Sequence, residues 1–267
     1  MEKFIAFFAK ARRPKPTVGL AIQGEQLMLC VIDASKQAHF AEIPMSATLT
    51  NWRLDAMPCA LKHCQLVASL ALRNVWYKAI ITPHSSHATC YQQVLQVLHE
   101  SLPMPATSLY FDFHTHALQH VGTRRQLDCV EIIACQREHL HHLKKSLAPL
   151  KLAVVDSHAH ALHRAFAFCA PTAPNHALFV YLARDFCCLI YHDALPLKHL
   201  YHSNPAGAIN AWQSRFADLS ITHIVIYNPD ELTLELPWDV PQSTLCAKRY
   251  PHLEALGCAL WQGESHA

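Results

Sequence analysis

Two stretches of the chain share one pattern of apolar runs and polar breaks. In the first, Val18-Gly19-Leu20-Ala21-Ile22 is followed by a break at Gln23-Gly24-Glu25, an apolar run over 27–32, a break over 33–37 and a third run over 38–43. In the second, Leu178-Phe179-Val180-Tyr181-Leu182 is followed by Ala183-Arg184-Asp185, then Cys187-Cys188-Leu189-Ile190-Tyr191, a polar turn at His192-Asp193 and a run over 195–201. Short runs of β-branched, aromatic and aliphatic residues between turn residues predict strands. Each stretch therefore reads as a three-stranded meander. Two copies about 160 residues apart predict an internally duplicated α/β protein.

Between the meanders, Leu61, Cys64, Val67, Ala68, Ala71 and Leu72 recur at helical spacing and predict an amphipathic helix over 59–72. A strand over 75–82 follows, then a helix over 90–102, capped by Ser85 or Ser86 and stopped before Pro103 and Pro105. Strands over 108–113 and 128–134 flank a polar loop over 115–125, and a helix over 138–147 leads to a strand over 151–155. Residues 156–168 predict a helix. Beyond the second meander come a helix over 205–216, a strand over 223–227, an irregular stretch with Pro229, Pro237 and Pro241, and a helix over 253–261. The expected division is an N-terminal segment 1–16, a first subdomain 17–83, an inserted α/β subdomain 84–152 and a second half 153–267.

Composition narrows the classes. Of 267 residues, 51% are hydrophobic, enough for a sizeable core, and only 16% are charged, which argues against disorder. A net charge of +2 gives no reason to expect nucleic acid. Eleven cysteines without a CxxC spacing fit free thiols in a reducing compartment. No stretch reaches the roughly 20 apolar residues of a membrane span. The N-terminal segment combines Phe4, Phe7 and Phe8 with Arg12 and Arg13, which reads either as a contact with an anionic membrane face, as a self-association arm or as a frayed turn.

Histidine is the conspicuous chemistry. His114 and His116 follow one predicted strand, and His158 and His160 follow another. Paired imidazoles at strand ends can seat a divalent ion in a barrel hydrolase. With 21 histidines, about one or two such pairs arise from composition alone, and the chain lacks the eight strand–helix units of a barrel. Six glycines in the whole chain leave no Walker-type or Rossmann-type phosphate loop and no GxSxG elbow. In duplicated actin-like ATPases the first turn of each half grips the nucleotide phosphates. Here Ala21 stands where a carboxylate is expected, and the second turn has Asp185 but no glycine, followed by the bulky Phe186.

Taken in order, these segments resemble the PilM family of type IV pilus assembly proteins, and more closely its reduced, competence-associated members called HofM or ComA. Val18-Gly19-Leu20-Ala21-Ile22 matches the place where members read G-x-D-x-G. Ser108-Leu109-Tyr110-Phe111-Asp112 is similar to a family strand. The run from Val154 through Asp156 and Arg164 to Ala165 is similar to the family's entry into a helix. Ala194-Leu195-Pro196-Leu197 and Leu256-Gly257-Cys258-Ala259-Leu260 match a hairpin and the terminal helix. On this resemblance Asp112 and Asp156 need no metal.

The resemblance implies a duplicated actin-like (ribonuclease H-like) α/β fold, with a small insertion in the first half and the second-half insertion largely missing. The departures imply a pseudo-ATPase. Gly19, Ala21, Gly24 and Asp185 mark a nucleotide cleft without its lysine and acidic residue, with ATP and magnesium binding as the alternative. The implied role is a non-catalytic scaffold at the inner membrane that binds the N-terminal tail of a PilN-like partner, alongside other proteins of the alignment subcomplex. The expected tail groove involves Ile80, Ile81 and Thr82 with Tyr110, Phe111 and Phe113.

Overall fold

The computed structural model describes residues 15–45, 49–56, 59–118, 126–192 and 196–261. The first half contains β1 (Thr17–Gln23), β2 (Gln26–Ile32), β3 (Ala38–Pro44) and β4 (Gln65–Leu70). Then come β5 (Trp76–Pro83), α1 (His87–Ser101), β6 (Leu109–Leu118), β7 (Leu127–Gln136), α2 (Arg137–Ser146), β8 (Leu152–Ser157) and α3 (His158–Cys169). The second half contains β9 (Ala177–Ala183), β10 (Phe186–Tyr191), β11 (His199–His202), α4 (Pro205–Arg215), β12 (His223–Tyr227), β13 (Gln242–Leu245) and α5 (Leu253–Ala259).

The duplication is visible in the sheets. The first has the order β3-β2-β1-β4-β8 and the second β11-β10-β9-β12-β13. In both, three antiparallel strands form the meander, the fourth strand runs parallel to the meander's first strand, and the fifth runs parallel to the fourth. That is the actin-like arrangement, made twice.

The central core lies between the two sheets, where α3 and α5 are packed. Ala21, Met28 and Cys30 from the first sheet meet Leu162 and Phe166 of α3, Leu256 and Ala259 of α5, and Phe179, Ile190 and Val225 of the second sheet. Alternation along β1 sends Val18 and Leu20 the other way, into a separate core with Leu61, Leu147 and Leu150. Two glycines allow the close stacking. A Cβ on Gly257 would sit 1.9 Å from the Ala161 carbonyl oxygen, and one on Gly19 would sit 1.9 Å from the Ala255 oxygen.

Several expectations change. The helix expected over 59–72 is a single 3-10 turn, Leu61–His63, followed by β4. β4 is hydrogen-bonded on both sides and buried at five of its six residues, so it shows no apolar–polar alternation. The inserted unit begins earlier than residue 84, because β5 pairs with β7 and not with the first sheet. The insertion is the sheet β5-β7-β6 with α1 against one face. β6 runs on to Leu118, into the expected polar loop, and the proline-rich stretch yields β13. The N-cap is Ser86, whose hydroxyl accepts from the Thr89 N–H at 3.2 Å. In the second half, β11 passes within three residues to α4, capped by Asn204, as the missing insertion requires.

Candidate functional site

The residues expected at the nucleotide cleft do separate jobs. Gly19 gives its bare backbone to α5, whose Ala259 nitrogen lies 2.3 Å from where a Cβ would be. Ala21 is buried in the central core opposite Met28. Gly24 has a φ of 59° as the first of two residues in the β1–β2 turn, a conformation that favours glycine. Asp185 is exposed in the β9–β10 turn, where the Arg184 N–H donates to the Asp230 carboxylate at 2.8 Å.

Behind the β9–β10 turn, aromatic rings fill the space. Phe186 stacks on Tyr181 with centroids 5.0 Å apart, and reaches Tyr201 at 5.7 Å and His158 at 5.8 Å. Tyr227 lies 5.1 Å from Tyr181 and donates its hydroxyl to the Tyr250 and Pro251 carbonyls. Facing them, the Ser69 hydroxyl donates to Glu254 at 2.5 Å. Within β1, Gly19 is covered by α5 and the place of a metal-holding carboxylate is the core residue Ala21, while at the turn itself nothing lies within 4 Å of where a Cβ on Gly24 would be.

The histidine pairs do not form a metal centre. His114 and His116 share one side of β6, with rings 4.2 Å apart. His158 and His160 lie in the first turn of α3 rather than on a strand, and point apart: His158 toward Phe186 and Glu254, His160 toward Tyr77. Among the described residues no group of three or more His, Cys, Asp or Glu side chains is placed to hold an ion. Asp156 is held by Arg164, whose guanidinium also donates to the Gly257 carbonyl at 2.9 and 3.1 Å, tying α3 to α5. Asp112 accepts from the Phe113 N–H at 2.9 Å.

A junction that the sequence reading missed joins the inserted sheet to the second half. Glu131 on β7 is 6% exposed. One carboxylate oxygen accepts from the Tyr77 hydroxyl and from the Leu197 N–H at 2.7 Å, and the other lies 2.7 Å from His116 Nε2. Burial pushes the carboxyl up, but the hydrogen bonds from Tyr77, Leu197 and His116 outweigh it and hold it below its usual range. Tyr77 also packs edge-on against His199 at 4.8 Å. His160 and His199 each keep a buried Nδ1 without a hydrogen-bond partner. Burial lowers both, His199 to about 4. The signal was an acidic residue inside the apolar run Cys129-Val130-Glu131-Ile132-Ile133.

The expected tail groove is also rearranged. Ile80, Ile81 and Thr82 lie on β5, and Tyr110, Phe111 and Phe113 on β6, at opposite edges of the three-stranded sheet with β7 between them. Ile80, Phe111 and Phe113 pack on the α1 side, and Tyr110 is covered by the Arg137 guanidinium at 4.4 Å. Ile81 is 67% exposed, on the opposite face of the edge strand β5. The six therefore do not line one groove. Phe4, Phe7, Phe8, Arg12 and Arg13 lie outside the described residues. Among the described residues no helix is long and apolar enough to cross a membrane.

No protein-family model and no curated protein matches the chain. Solved structures do. A chain of a PilM–PilN type IV pilus biogenesis complex is similar at a TM-score of 0.60 and 16% identity, covering 93% of this chain and 98% of that one. The cytoplasmic domain of EpsL, an inner-membrane component of the type II secretion system of Vibrio cholerae, is similar at 0.55 and 12% identity, covering 92% and 94%. At these identities the likeness shows a shared fold, and this chain has the PilM-like, actin-like α/β fold along nearly its whole described length.

Proposed function

We propose that this protein is a non-catalytic scaffold of a type IV pilus or DNA-uptake machine, a reduced PilM-like protein of the HofM or ComA kind. It works at the cytoplasmic face of the inner membrane and holds the N-terminal tail of a PilN-like bitopic partner. The observation supporting this is the near end-to-end fold likeness to a chain of the PilM–PilN complex. The aromatic filling behind the β9–β10 turn, and the use of Gly19 for helix packing, support a pseudo-ATPase without bound nucleotide. Other proteins of the alignment subcomplex are further partners. The segment carrying Phe4, Phe7, Phe8, Arg12 and Arg13 adds a membrane contact or a self-association arm.

In this reading the tail pairs with an open edge of the inserted sheet, since among the described residues β5 and β6 each pair with β7 alone. The β5 edge carries Ile81, the most exposed large apolar side chain among the described residues. Ile81→Lys should weaken binding of a synthetic PilN-like tail peptide at least about tenfold without moving the unfolding midpoint. Unchanged binding would refute the β5 edge as the tail site. The likeness to EpsL supports a second reading, a scaffold of a secretion machine, in which the tail of that system's partner binds in preference to a PilN-like one.

A further inference from the structure

A second surface lies on the outer face of the second sheet, which α4 and the chain between β12 and β13 cover. Leu232, Leu234, Leu236, Trp238 and Val240 pack onto the core under β9 and β10, while the residues between them face solvent. That is the two-residue alternation of a strand, yet residues 232–241 belong to no sheet. Among the described residues none hydrogen-bonds the backbone of residues 233–240. An extended backbone with its side chains anchored and its polar groups unpaired is a template for strand addition.

Beside this segment, Trp212, Phe216, Leu219, Ile221 and Trp238 line an open pocket of about 190 Å³. Small-molecule sites usually span roughly 300–1,000 Å³, so this one suits a single large apolar side chain. Trp212 is 1% exposed, and its indole Nε1 has no hydrogen-bond partner. The surroundings are acidic. Asp218, Glu231, Glu235 and Asp239 are exposed, and none is ion-paired among the described residues. The one cation on the facing turn of α4, Arg215, lies over the Phe216 ring at 5.3 Å.

We propose that this groove docks an extended basic peptide segment of a partner protein. One large apolar side chain seats between Trp212 and Trp238, the peptide backbone pairs with residues 233–240, and its lysines or arginines lie beside Glu235 and Asp239. The test uses the full chain and three labelled decapeptides. The first alternates lysine and leucine around a central tryptophan, the second has glutamate for each lysine, and the third has glycine for the tryptophan. Anisotropy should show binding of the first, none of the second, and at least about tenfold weaker binding of the third. Hydrogen exchange should slow at the amides of residues 233–236 and 238–240, Pro237 having no N–H, when the first peptide is added. The exposed pair Glu235→Lys with Asp239→Lys should weaken binding at least about tenfold while leaving the urea midpoint unchanged. Equal binding of basic and acidic peptides, protection outside residues 233–240, or no binding of the first peptide would each overturn the proposal.

Discussion

Replacing Glu131 probes the junction between the inserted sheet and the second half. Glu131→Leu removes the acceptor shared by the Tyr77 hydroxyl, the Leu197 N–H and His116. The His116 side chain is 24% exposed and can turn to water, so two donors are stranded. A buried donor left unpaired costs about 1–3 kcal/mol, giving about 2–6 kcal/mol for the two. The added apolar contact of leucine returns about 1–2 kcal/mol, so the net loss is about 0–5 kcal/mol, centred near about 2.5 kcal/mol. Against a typical total of about 5–15 kcal/mol this is large. Glu131→Gln keeps an acceptor for Tyr77 and Leu197, and the His116 tautomer can switch to accept from the new amide, so the loss is about 1 kcal/mol. Urea unfolding with linear extrapolation measures both variants. If leucine and glutamine at this position differ by less than about 0.5 kcal/mol, the bonds seen at Glu131 do not hold the junction.

Two further changes follow from the same packing. Gly257→Ala places a methyl group 1.9 Å from the Ala161 oxygen, and Gly19→Ala places one 1.9 Å from the Ala255 oxygen, both against backbone that cannot swing aside. Overpacking costs about 1–3 kcal/mol or more, which for Gly257 exceeds the gain of about 1 kcal/mol in helix propensity; both variants should lower the urea midpoint, and a midpoint at or above that of the parent chain would contradict the stacking of β1, α5 and α3. His199 has a folded pKa of about 4 against an ordinary 6.5, so the folded state resists its protonation. That contribution, up to about 3 kcal/mol, is fully present above pH 6.5 and is lost as the pH falls toward 4. Stability of the parent chain should therefore drop through that window, and His199→Leu should flatten the drop; an unchanged slope would place the titration elsewhere.

The meanders were legible because their strands are short apolar runs between clear breaks, and the two sheets repeat one order. β4 was not, because a central strand with both faces buried carries the same apolar density as a helix. β5 was read as a strand within the first subdomain, whereas it pairs with β7 of the inserted sheet, which comes about 50 residues later, and no local pattern encodes that pairing. The departures at the first turn of each half were visible as Ala21 in one and Phe186 in the other, but not that Gly19 serves α5, a contact across more than 200 residues. His114, His116, His158 and His160 looked like candidate ligands only as pairs in sequence. The fold sends His158 and His160 to different neighbours, and brings His116 and Tyr77 onto one carboxylate that spacing could not have revealed.

The central claim is a scaffold that grips a partner's tail and does not bind nucleotide. Calorimetric titration of the purified chain, in parallel with Mg-ATP and with a synthetic N-terminal tail of a PilN-like protein, tests it directly. The account predicts tail binding in the micromolar range, about −8 kcal/mol, with no heat from Mg-ATP. Stoichiometric ATP binding without a response to the tail would contradict it.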